Sequence, residues 1–111
     1  MNTKDLVENA GLKPLTVFDP REVNGVFVSD MLSDVMAGAK SGNLWITVQT
    51  HKNVVPAANL VDVSALVITS GKKVPQETLD LANQHGIAIL WTELPTFDLV
   101  GKLYALGLVT R

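Results

Sequence analysis

Apolar residues along this chain gather in short unbroken runs instead of alternating with polar ones. Val26-Phe27-Val28, residues 44–48, Ala65-Leu66-Val67-Ile68 and residues 87–91 are rich in β-branched and aliphatic side chains and bounded by turn formers. A strand with one wet face alternates with a period of two, whereas a continuous run is buried on both faces. These runs predict a mostly parallel sheet covered by helices. A weaker run, Leu15-Thr16-Val17, reads as a strand near an edge.

Helical patterns separate the runs. Met31, Leu32, Val35, Met36 and Ala39 form one apolar face. Ser29 or Asp30 is placed to cap that helix and Gly42 to end it. Asn53 is an N-cap candidate for a helix to about residue 59, with Pro56 in its first turn, where the missing N–H costs nothing. Pro75 starts the next helix, Leu79 and Ala82 point inward, and Gly86 ends it, with His85 suited to the negative end of the dipole. A short helix over residues 3–10 and a last one over residues 96–106 complete the pattern. The order predicts an α/β fold: a three-layer α/β/α sandwich around a mostly parallel sheet of about five strands with right-handed crossovers.

The chain has 111 residues, which fits one domain over 1–111, and 47% of them are hydrophobic, enough for a single core. A net charge of −2 gives no positive field for nucleic acid or an anionic membrane. No cysteine is present, so thiolate metal sites, disulfides and cysteine nucleophiles are excluded. No run resembles a secretory signal or a membrane span, which gives a cytoplasmic expectation.

Ligands of open parallel sheets bind beyond the carboxyl ends of the strands. Four polar clusters fall there: Ser29 and Asp30; Gln49, Thr50, His51, Lys52 and Asn53; Thr69, Ser70, Gly71, Lys72 and Lys73; and Thr92 with Glu93. The second cluster enters a helix N-terminus, whose free N–H groups favour an anion. The competing reading is that Thr50 and Asn53 only cap the helix and His51 is a solvated loop residue. Ser29 and Asp30 read first as caps; Lys72 and Lys73 could neutralise a phosphate across the same crevice but read first as solvated lysines. Asp30 and Asp34 share a helix face but lack a third ligand nearby, so no metal is assigned. Trp45, Trp91, Met31 and Met36 read as core, although Trp91 ends its strand and could line a pocket. Neither Gly71-Lys72-Lys73 nor Gly101-Lys102-Leu103 completes a P-loop, and there is no G-x-G-x-x-G or G-x-S-x-G. No cofactor and no catalytic residue is implied. An enzyme using His51 with Asp30 is the remaining catalytic alternative.

GVFVSDMLSDVMAGA from Gly25, GNLWITVQTHKNVVPAA from Gly42 and ALVITSGKKVPQETLDLANQHGIAIL from Ala65 together resemble a DRTGG domain, over about four-fifths of the chain. Thr50-His51-Lys52 stands where the family's Asp-Arg-Thr belongs, and Thr69-Ser70-Gly71 where Thr-Gly-Gly belongs. The lost arginine matters, because its planar fork clamps a phosphate or carboxylate and His51 cannot do so in two-pronged fashion. The resemblance implies a fold similar to the N-terminal domain of HPr kinase. It also implies a non-catalytic regulatory or dimerisation module. The expected function is sensing of a small anionic metabolite or adenine nucleotide by a homodimer. The expected ligand residues are Ser29, Asp30, Gln49, Thr50, His51, Asn53, Thr69, Ser70 and Gly71. The alternative is an accessory subunit of a larger enzyme with no small ligand, docking through Phe97, Leu99, Tyr104 and Leu106.

Overall fold

Strands built from apolar runs need cover on both sides, and the topology supplies it. The computed structural model describes residues 1–109. Helix α1 (Thr3–Asn9) precedes β1 (Lys13–Pro14) and β2 (Gly25–Val28). Then follow α2 (Leu32–Gly38), β3 (Asn43–Thr47), α3 (Val54–Val61), β4 (Ala65–Ile68), α4 (Gln76–Gln84), β5 (Ile89–Trp91) and α5 (Thr96–Ala105). The sheet order is β1-β5-β4-β3-β2. Strands β2 to β5 are parallel, with Val26 beside Leu44, Leu44 beside Ala65 and Leu66 beside Ile89. Only β1 is antiparallel, lying against β5.

Each crossover steps to the neighbouring strand in the same direction, so right-handed connections place α2, α3 and α4 on one face. The core divides accordingly. Trp45, Leu66, Ile68 and Ile89 pack with Val35, Val54, Val55, Ala58 and Ala82 of those helices. Their strand neighbours Leu44, Ile46, Val67 and Leu90 face the other way and pack with Leu6, Leu99 and Leu103 of α1 and α5. The α/β/α sandwich with a mostly parallel sheet is thus as expected from the runs.

Three local expectations are corrected. The edge strand is Lys13–Pro14, not residues 15–17. Leu15 still donates its amide to Ile89, but Thr16 replaces ladder bonds with its hydroxyl, which donates to the Ile87 carbonyl at 2.7 Å and accepts from the Ile89 amide at 2.9 Å. Val17 then turns outward. Second, Met31 and Met36 are exposed, and α2 buries only Val35 fully. This helix covers an edge strand, and among the described residues no further strand lies beyond β2 to receive the rest of its apolar stripe. Third, neither Ser29 nor Asp30 is the N-cap of α2; Met31 holds that position without a side-chain bond.

The amino ends of the strands are closed by a polar network. Arg21 donates to the Asp62 carboxylate at 3.0 Å and to the Val63 carbonyl at 3.0 Å, and Ser41 donates to the other Asp62 oxygen. Asn43, buried at the start of β3, donates to Asn24 at 3.0 Å and accepts from the Lys40 amide at 3.0 Å. Asn24 in turn donates to the Ser41 carbonyl. The Ser41 and Arg21 hydrogen bonds hold the Asp62 carboxyl below the ordinary aspartate value of 3.8.

Candidate functional site

Parallel pairing of β2 to β5 brings their four following loops to one end of the sheet. The strand order does not reverse among them, so the switch-point crevice of doubly wound sheets is absent from this part of the sheet. Recesses form between neighbouring helices instead. One cleft of about 300 Å³ is lined by Leu32, Gln49, His51, Asn53 and Val54, between the starts of α2 and α3. A larger open groove of about 550 Å³ lies between α3 and α4, lined by Lys52, Asn53, Pro56, Glu77, Asp80, Leu81 and Gln84.

The loop after β3 is shaped by bonds from its neighbours. Asp30 reaches across from the end of β2: its Oδ1 accepts from the Thr47 hydroxyl at 2.8 Å and the Val48 amide at 3.0 Å. Thr47 also accepts from the Gln49 amide at 3.0 Å. Ser29 sits beside this link; its hydroxyl accepts from the Met31 amide and donates to Asp34 at 3.3 Å. Thr50 gives its carbonyl to the Thr78 hydroxyl at 2.8 Å, tying the loop to α4.

His51 holds the backbone of the α3 N-cap residue, which is Asn53 as expected. Its Nδ1 accepts the Asn53 amide at 3.1 Å, while the Asn53 side chain makes no cap bond. That contact leaves Nε2 as the ring nitrogen without a partner among the described residues. Val54 and Val55 donate to the carbonyls of His51 and Lys52 at 3.0 Å each, and Pro56 has no N–H. The opening amides of α3 are therefore already engaged, and the anion cradle expected from the sequence is filled by the chain itself. Lys52 is engaged too, donating to Glu77 at 2.9 Å across the α3–α4 groove.

The Thr69-Ser70-Gly71 segment stands at the same end of the sheet but lines neither recess. Thr69 is buried and shares a 2.6 Å hydroxyl bond with Thr96. Ser70 and Gly71 both hold positive φ, 62° and 65°, and their amides donate to Leu94 and Thr92. Trp91 Nε1 donates to the Lys72 carbonyl at 2.9 Å, so this loop is stapled to β5. Of the expected ligand residues, Gln49, His51 and Asn53 converge on one cleft, with Ser29, Asp30 and Thr50 bracing its walls. Leu32 and Val54 were not foreseen as lining, although each follows directly on a helix start. Among the described residues no hydrogen bond joins His51 to Asp30, and no three His, Asp or Glu side chains are grouped to hold a metal.

No curated protein matches the chain. A solved structure of the CBS and DRTGG domains of the regulatory region of Clostridium perfringens pyrophosphatase, complexed with activator, diadenosine tetraphosphate, shares the fold. Its TM-score is 0.71 at 16% identity, and the match covers 91% of this chain and 45% of that one. This chain thus spans less than half the length of that structure. A family model described as the DRTGG domain matches residues 18–106, which takes in β2 through β5 and every loop at the carboxyl end of the parallel strands; the chain belongs to the DRTGG domain family.

Proposed function

We propose that this chain is a non-catalytic regulatory domain that senses a small metabolite of the nucleotide class at the carboxyl end of its sheet, as a homodimer. The observation that carries the reading is the cleft at the start of α3, where Gln49, His51 and Asn53 face one recess. Family membership and the activator held by the Clostridium perfringens regulatory region support it. The non-catalytic part rests on Asp30, whose Oδ1 serves Thr47 and Val48 and is not bonded to His51. Titration calorimetry and thermal shift with adenine nucleotides and acyl phosphates test the reading. Saturable binding that His51→Ala weakens supports it; no binding by a folded protein overturns it.

One observation favours the accessory-subunit reading. Phe97 and Tyr104 lie seven positions apart on α5 and are 85% and 70% exposed, with open space at Gly101 between them. Leu99 is buried and Leu106 half-buried, so the docking stripe reduces to the two aromatics. Sedimentation equilibrium separates the readings. A dimer dispersed by Tyr104→Glu supports self-association through this stripe, whereas a monomer leaves it to another partner.

A further inference from the structure

We infer that the cleft between α2 and α3 recognises the heterocyclic base of its ligand and not the phosphate. This rests on the proposed sensing role and names the chemistry of that site.

Anion recognition needs unengaged donors or a cation, and the cleft supplies few of either. The Asn53, Val54 and Val55 amides are taken by the His51 ring and by local carbonyls, and Pro56 has none. No lysine or arginine lines the cleft among the described residues, because Lys52 is drawn to Glu77 on the far side of α3. The His51 Nδ1 is occupied as the acceptor of the Asn53 amide and does not donate into the cleft. The nearest formal charges from α2 and its lead-in are Asp30 and Asp34, both repulsive to phosphate.

The same lining suits a flat, neutral, hydrogen-bonding ring. Leu32 and Val54 offer apolar surface, while Gln49 and Asn53 carry carboxamides. Neither carboxamide is bonded to another side chain among the described residues. A carboxamide offers a donor and an acceptor side by side, the pattern that pairs with a base edge. The His51 Nε2 adds one further hydrogen-bonding atom. The volume, about 300 Å³, is at the small end of ligand sites and matches a base with its sugar better than a whole dinucleotide. Phosphates attached to such a base would extend into solvent.

The test uses the full chain and titrates the common nucleosides, their monophosphates, inorganic phosphate and pyrophosphate. Calorimetry gives the affinities, and the His51 imidazole resonances report the place. One nucleoside is expected to bind within about threefold of its monophosphate, shift the His51 signals, and lose about tenfold in affinity in Gln49→Ala. Binding of phosphate or pyrophosphate with every nucleoside silent overturns the inference and leaves sensing at this end of the sheet standing. Nucleoside binding that moves neither the His51 signals nor with Gln49→Ala overturns the placement. No binding by any of these overturns both the inference and the nucleotide-class reading.

Discussion

The two ends of this sheet use similar residues to opposite effect. At the amino end Arg21, Asn24, Ser41, Asn43 and Asp62 bond to one another and to nearby carbonyls. At the carboxyl end Gln49 and Asn53 stand in an open cleft with carboxamides uncommitted to any other side chain among the described residues. Polar groups that satisfy each other hold the fold; those left to water are available to a ligand. Residue type does not separate the two sets, since Asn24 and Asn43 carry the same carboxamide group as Gln49 and Asn53.

The largest expected effect tests the amino end. Gly42 has φ +86°, and a Cβ there would collide with the Asn24 carboxamide. Gly42→Ala should cost about 3 kcal/mol, from the left-handed penalty plus displacement of Asn24. Urea denaturation measures it, and a cost below about 1 kcal/mol would show that the network yields easily. Next is Asp62→Ala, expected to cost about 1 kcal/mol, a modest figure because this carboxylate is partly in water. The same group sets an acid limb. Its carboxyl is held below 3.8 in the folded chain, so its contribution is complete above that value and lost as pH falls through the lower folded value. Unfolding curves down the acid range should show this loss in the parent and not in Asp62→Ala.

Smaller effects belong to the carboxyl end. Ser70 holds a left-handed φ of 62° where glycine carries no penalty. Ser70→Gly should stabilise by about 0.5 kcal/mol, relief of strain outweighing the added freedom of the unfolded chain. Loss of stability would mean that the serine side chain makes a contribution of its own. Gln49→Ala should change stability least, by under about 0.5 kcal/mol, since its side chain is exposed. A clear drop in melting temperature there would erase the contrast between the two ends.

What the sequence disclosed follows from what its patterns report. Continuous apolar runs report burial on both faces, and β2 to β5 are where the runs lie. The weak run at Leu15-Thr16-Val17 also reports burial, since Thr16 is buried. Yet Thr16 uses a hydroxyl where a strand would use backbone, and no periodicity distinguishes the two. The helical stripe on α2 is real, but an edge position leaves Met31 and Met36 uncovered, and edge position is a tertiary fact. Capping rules misjudged Asp30 for a similar reason, and they placed Asn53 at its N-cap position without foreseeing that its side chain makes no cap bond. Asp30 is claimed by Thr47 and Val48 of the neighbouring strand and its extension, and Asn53 has helical φ and ψ where a side-chain cap needs an extended residue.

The order β1-β5-β4-β3-β2 also bears on how the molecule assembles. Each parallel strand lands beside the one made just before it, so the sheet can grow like a row of tiles from β2 to β5. The opening segment has no such neighbour, and the Thr16 bonds to Ile87 and Ile89 join residues 71 and 73 positions apart. Closure of so long a loop is slow compared with the local steps. Strand β1 is therefore expected to seat after β5, and until it docks the β5 margin is bare.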